Sequence, residues 1–293
     1  MAIIQSLAVG KAKGSAQNLT YTTVGGATIM KGKVAFPKNP KSLRQMNRRV
    51  QWANIVNLWQ AFTQRDKPSF EDKAPRVSDF NAFIGANIAR TPVYLTNTEA
   101  SQGGCLVAAY RITRGSLPSL DVAAGTGGVP VSGISLGNLV IDGDTTLKEF
   151  SDAVIDNGQG AFVNGDQITC FNFIQEQNPV TGIPYVRIEA SKVTLNQRDE
   201  DTLLADVVEA FGFTTVDGKL GAASAVSGGI AWVHSRIAPD GRVLVSSQTI
   251  FTNNPLLAQY QTSAARTDAI ISYGGKTTAD YLRPDVDEAI QGA

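Results

Sequence analysis

Apolar positions along this chain change period several times, and the changes divide it into elements. Leu43, Met46, Val50 and Ala53 recur at helical spacing, and Asn39-Pro40 offers a cap followed by a residue suited to a first turn. The pattern predicts a helix over residues 41–64. Trp52, Ile55, Trp59 and Phe62 make a second stripe on it, displaced toward the opposite side by the step of roughly 100° per residue. One stripe seats a surface helix. Two imply a helix central to its own domain, or a second stripe that meets another subunit.

Further along, Ser78-Asp79 precedes Phe80, Phe83, Ile84 and Ile88, predicting a short helix to about residue 89. Strands are expected at 91–95, 105–114 and 139–141. Thr146 and Glu149 form the capping box of a helix reaching Asp156, closed by Asn157-Gly158. Residues 167–176 and 183–195 read as one hairpin, and 229–238 with 242–251 as another across Pro239-Asp240-Gly241. Between them an acidic helix is expected from Asp199 or Asp201 to Gly212, with Leu203, Leu204, Val207, Val208 and Phe211 inward. Asn254-Pro255 opens a last helix that stops near Gly274-Gly275. Antiparallel hairpins interleaved with short helices predict an α+β fold.

Residues 10–40 are rich in Gly, Ser, Thr and Lys, and read as an extended basic arm or a loose hairpin turning at Gly25-Gly26. Residues 125–137 hold five glycines and suggest a linker or a long surface loop. The expected organisation is an arm over 1–40, a helical and mixed region over 41–124, that linker, and an α+β domain over 138–293.

Composition fits a folded, loop-rich protein: 43% of the 293 residues are apolar, 18% are charged and 28 are glycine. The first ten residues lack the basic start of a secretory signal, and no apolar run approaches bilayer length. Cys105 and Cys170 read as reduced, buried thiols, and the Asn18-Leu19-Thr20 sequon as inert. A chain synthesised in a cytoplasm and not secreted is expected.

The formal net charge of zero conceals an asymmetry. Residues 1–65 contain no Asp or Glu but carry ten cations: Lys11, Lys13, Lys31, Lys33, Lys38, Lys41, Arg44, Arg48, Arg49 and Arg65. The remainder holds sixteen basic against twenty-six acidic residues, a net of minus ten. Ten cations without an acid repel one another unless a partner, or solvent around a disordered tail, accommodates them. Nucleic acid is one partner, with Lys11, Lys13, Lys31 and Lys33 on phosphates and Arg44, Arg48 and Arg49 on the helix. An acidic surface on another copy is the other, and such head-to-tail contacts close into rings or run into shells and filaments. Trp52, Trp59 and Phe62 complete the expected interface.

Catalytic patterns are weak. His234, the single histidine, sits in the alternating run Ile230, Trp232, His234, Arg236 and reads as a packed or interface residue rather than a base or ligand. No CxxC or HxxxH spacing supports zinc. Gly274-Gly-Lys-Thr277 ends like a phosphate loop, but Ile270 stands where that loop requires glycine. Gly125-Thr-Gly-Gly128 offers amides to an anion without the strand-to-helix context. Asp199-Glu200-Asp201 suits a helix start better than a calcium loop. No catalytic residue, cofactor or metal is assigned, and a non-enzymatic role is expected.

The strings Gly10-Lys-Ala-Lys-Gly-Ser-Ala-Gln-Asn-Leu-Thr-Tyr21, Val24-Gly-Gly26 and Asn39-Pro-Lys-Ser-Leu-Arg-Gln-Met-Asn-Arg-Arg-Val50 with Trp52 resemble a protein family of Bacteroidetes genomes and their phages, crAss-like phages among them. Gly229-Gly-Ile-Ala-Trp-Val-His-Ser235 and Ser272-Tyr-Gly-Gly275 are similar to it as well. The resemblance implies a phage or prophage context and a structural place in a tailed-phage virion, as a neck or tail ring or connector, or a capsid accessory protein. It brings no catalytic residue with it. Partners are then other copies and other virion proteins. A nucleic-acid binder using residues 1–65 and an enzyme of unfamiliar type are the alternatives.

Overall fold

The computed structural model describes residues 2–4, 14–16, 18–24, 27–33, 39–62, 67–208, 211–277 and 280. The chain forms two units, Met1–Lys41 and Ser42–Ala293.

In the first unit, strands β1 (Ala2–Ile4), β2 (Gly14–Ala16), β3 (Leu19–Val24) and β4 (Ala27–Gly32) form one antiparallel sheet in the order β1-β4-β3-β2. The β-prone run from Leu19 pairs from Leu19↔Gly32 to Val24↔Ala27, so the hairpin reading of this region holds. Beyond that reading, β1 and β2 extend the hairpin into a sheet. The expected turn at Gly25-Gly26 lies outside the described residues.

The second unit begins with α1 (Leu43–Ala61), started by the Ser42 hydroxyl, which accepts from Gln45 N–H, rather than by Asn39-Pro40. There follow α2 (Asp79–Asn87), α3 (Asn97–Ser101), β5 (Arg111–Thr113), β6 (Ala123–Ala124), β7 (Pro130–Ser135) and α4 (Leu147–Asn157). Thr146 and Glu149 close the expected capping box on α4, and Gly158 ends it. The long hairpin β8 (Gln167–Gln177) and β9 (Pro184–Thr194) comes next. The chain finishes with α5 (Leu204–Val207), β10 (Thr214–Val216), β11 (Lys219–Gly221), β12 (Gly229–Ile237), β13 (Val243–Val245), β14 (Gln248–Thr249), β15 (Phe251–Thr252), a 3₁₀ turn at Leu257–Gln261, and α6 (Ser263–Ser272). The fold is α+β.

Its centre is the antiparallel sheet β13-β12-β8-β9, with β15 also on β12. Both faces of β8 and β12 are covered, so these strands carry nearly unbroken runs of buried residues, Thr169, Asn172 and His234 among them. Phe171, Phe173, Ala231 and Val233 face a core built with Ile55 and Leu58 of α1, Phe62 just after it, Phe83 of α2 and Val107. Ile168, Cys170, Ile230 and Trp232 face a second core built with Leu147, Phe150 and Val154 of α4, Leu204 and Leu220. Helices α1 and α4 therefore flank the sheet on opposite sides. A third, smaller cluster joins Met46 and Val50 of α1 to Ala269 and Ile270 of α6.

Residues 125–137, expected as a linker or loop, instead hold a 3₁₀ turn and β7, which pairs with β6 and β11 inside the second unit. Residues 105–110 do not join a ladder. Buried amides satisfy their backbone instead: Asn54 Oδ1 accepts from Leu106 N–H (2.7 Å) and its Nδ2 donates to Leu106 C=O (3.0 Å). Gln175 accepts from Val107 N–H (2.9 Å) and donates to Cys105 C=O (3.1 Å), and Asn254 donates to Val107 C=O (3.0 Å). Residues 105–107 are thus fixed largely by side chains where a strand would use a neighbour, and Tyr110 C=O accepts from Ile250 N–H (2.9 Å). Residues 91–95 join no ladder, Tyr94 N–H donating to Tyr260 C=O (3.0 Å), and at 139–141 the Thr215 hydroxyl accepts from Ile141 N–H and donates to Leu139 C=O in place of a strand partner.

The acidic helix expected from 199–201 contracts to the four residues of α5. Its intended first turn is held by the start of α4, with Leu147 N–H on Thr202 C=O (2.8 Å) and Lys148 N–H on Asp199 C=O (3.0 Å). Gly212, placed at φ +84°, follows; a Cβ there would sit 2.2 Å from Cys170 Sγ, so glycine is required on both counts. The last helix restarts once, where the Thr262 hydroxyl accepts from Ala265 N–H (3.0 Å).

Candidate functional site

Two features of the second unit carry the functional reading: the outer face of α1 and a groove over the central sheet. Along α1 the buried side is Met46, Val50, Asn54, Ile55 and Leu58. The helix sinks toward its C-terminal end, and the second apolar stripe divides accordingly. Phe62 is buried against Phe171 and Phe173, with ring centroids 5.9 and 5.7 Å away. Trp59 is half-buried against Phe80 (5.7 Å) and Phe83 (5.4 Å). Trp52 alone remains outside, 45% exposed. Arg44, Arg48 and Arg49 are exposed on the same helix, and Arg48 donates to Ile88 C=O at 3.3 Å. Lys31 and Lys33 are exposed in the first unit. Lys11 and Lys13 lie outside the described residues. Of the predicted interface, the structure thus brings Arg48, Arg49 and Trp52 onto one accessible helix face and commits Trp59 and Phe62 to the interior.

The other sign collects elsewhere. Asp142, Asp144, Glu149, Glu200, Asp201 and Asp206 are all exposed, and they lie around the start of α4 and α5. The bonds between 145–148 and 199–204 hold these segments together. Lys148 answers one of them through its ion pair with Glu200. Because α1 and α4 flank opposite faces of the sheet, the α1 arginines and this group of acids sit on opposite sides of it.

The groove has a volume of about 240 Å³ and an apolar floor that includes Ile112, Phe171, Val233 and Val245. Lys67, Lys192 and Arg236 border it, and Ile237 (68% exposed) and Val243 (52%) stand at its edge. No carboxylate, thiol or imidazole lines it among the described residues. Such a lining offers shape, apolar area and positive charge, which suits binding more than acid–base chemistry.

His234 points away from it. Val233 and Ser235 face the groove, so alternation sends His234 to the opposite side of the sheet. There it is fully buried, Nε2 lies 2.8 Å from Asp166 Oδ2, and the ring packs on Phe162 at 4.5 Å. Arg236 clamps the same carboxylate with Nε at 2.7 Å and a terminal nitrogen at 2.6 Å. Burial pushes the Asp166 carboxyl up, but the bonds from Arg236, His234 and Val163 N–H outweigh it and hold the group at about 2. The histidine is thereby a packed partner of the Asp166–Arg236 ion pair. Sequence reasoning singled out His234 but not Asp166, which is distant in the chain and carries no motif.

The remaining sequence candidates are also engaged within the chain. Asp217 accepts from Thr126 N–H (3.0 Å) and Thr126 Oγ1 (2.8 Å), so the glycine-rich turn cradles a carboxylate of its own chain. Gly274, at φ +75°, follows the end of α6. Cys105 and Cys170 are buried, and burial pushes both thiols up, away from the reactive thiolate. No three His, Cys, Asp or Glu side chains among the described residues gather to hold a metal ion. No helix among them is long and apolar enough to cross a membrane. Comparison with models of protein families, with curated proteins and with solved structures finds no match to this chain.

Proposed function

We propose that this chain is a non-enzymatic assembly subunit of a tailed-phage particle, a ring, connector or capsid accessory protein. In this reading its basic N-terminal region and α1 contact the acidic surface of the next copy. The observation that carries it is the separation of charge across the central sheet: Arg48, Arg49 and exposed Trp52 on one side, the acids around α4 and α5 on the other. Opposite faces of opposite sign favour a heterologous, head-to-tail contact, which propagates into rings or tubes. Trp52 supplies the kind of aromatic anchor that dominates such contacts when flanked by arginine. The phage context comes from the resemblance in residues 10–21, 24–26, 39–50, 52, 229–235 and 272–275.

Charge reversal tests this directly. Arg48→Glu with Arg49→Glu should lower the association constant about ten-fold or more while leaving the melting temperature of the subunit within a few degrees. A second variant with Asp201→Lys and Asp206→Lys, mixed with the first, should regain association. Unchanged oligomer mass in the arginine variant contradicts the reading.

A further inference from the structure

The central sheet ends in a long unpaired edge. Strand β9 spans Pro184–Thr194 and, among the described residues, pairs only with β8. Beside the turn, Asn178 N–H donates to Ile183 C=O (2.9 Å), and the register continues without a bulge. Counting by twos, Tyr185, Arg187, Glu189, Ser191 and Val193 spend their backbone groups on β8. Val186, Ile188, Ala190 and Lys192 turn theirs outward. Pro184 fits the same parity, because its C=O is outward and accepts from Cys105 N–H at 2.8 Å. From Val186 to Lys192 no hydrogen bond from the described residues reaches the outer groups. Ala190 and Lys192 are exposed.

An edge of this length invites another strand, and the sequence of β9 complements itself. We infer that β9 pairs antiparallel with β9 of a second copy about a two-fold axis at Ile188, joining the central sheets of the two subunits. In that register Ile188 meets Ile188 and Val186 meets Ala190, each pair exchanging two backbone hydrogen bonds. Arg187 falls opposite Glu189 at the closer, non-hydrogen-bonded positions, and the axis makes this pairing twice. Moving the axis to Glu189 sets like charges against each other, which costs stability. Within one chain Arg187 already pairs with Glu189 and approaches Glu176 at 3.8 Å, so both charges are held at the edge before contact. The inference rests on this edge and not on the head-to-tail reading. The two contacts use different surfaces and respond differently to salt.

Sedimentation at high salt, where charge-driven contacts are screened, reads the two-fold contact alone. Wild-type chain should sediment as a dimer. Ala190→Pro removes an outward N–H without touching the β8 ladder, and should give a folded monomer with unchanged circular dichroism. At low salt, in the Arg48→Glu/Arg49→Glu background that removes the head-to-tail contact, Arg187→Glu should weaken the dimer about ten-fold, and the swap R187E/E189R should restore it. A role confined to the intrachain pair would shift melting temperature and leave mass alone. A folded wild type that stays monomeric at high micromolar concentration overturns the inference, as does a folded A190P dimer of unchanged affinity. If A190P does not fold, the charge swap decides: failure to restore the dimer is then the overturning result. Low-salt association that survives A190P leaves the head-to-tail contact standing by itself.

Discussion

Asp166 ties two segments together at a single carboxylate, its own loop through Val163 N–H and β12 through His234 and Arg236. Removing it by Asp166→Asn should destabilise the fold by about 2–3 kcal/mol at neutral pH, since a buried partner for Arg236 and His234 is lost. The pH dependence has a definite sign. The folded carboxyl titrates at about 2, below its unfolded value near 4, so its contribution is complete above about pH 4 and is lost as pH falls toward 2. Urea unfolding of both proteins at stepped pH should show their stability gap closing across that window. A gap that stays constant to pH 2 would contradict the assignment. At this scale the sequence was legible only in part. His234 reads as a packed residue from its place in an alternating strand. Asn54 reads as an interruption in an apolar stripe, and nothing local reveals that Leu106, distant in the chain, needs its amide.

Element α1 separates packing from presentation along its own length. Trp59→Ala empties space between Phe80 and Phe83 and should cost about 2–3 kcal/mol, seen as a lower melting temperature. Trp52→Ala, on the exposed face, should leave melting almost unchanged and weaken association instead. Melting curves and oligomer mass on the two variants check this; a Trp52 variant that melts like the Trp59 variant contradicts it. Elements defined by local chemistry were the readable ones. The capping box of α4 and the β8–β9 hairpin need only neighbouring residues to form. Segments whose partners are distant were not readable. The apolar run from 105 joins no ladder, because amides from α1, β8 and residue 254 bond the backbone of 105–107 instead. The amphipathic run after 199 yields most of its helix because residues 199–203 pair with the start of α4.

Across the whole second unit the charge imbalance becomes geometry. An acid-free beginning and an acid-rich remainder are visible in the composition. That the α1 arginines and the acids around α4 and α5 end up on opposite faces of one sheet depends on α1 packing against Phe171 and Phe173 while α4 packs against Ile168 and Cys170. The alternation of β8 supplies both surfaces at once. A subunit polarised in this way, with a separate small sheet at its N-terminus and a free β9 edge, is suited to contacts with its own copies. The most direct measurement is the mass of the full chain by light scattering across a salt series, with and without DNA. Mass above the monomer without DNA, falling as salt rises toward the smallest stable species, is the predicted result. A chain whose mass does not change with salt, or which gains mass only when DNA is added, contradicts the account and favours a nucleic-acid-binding role.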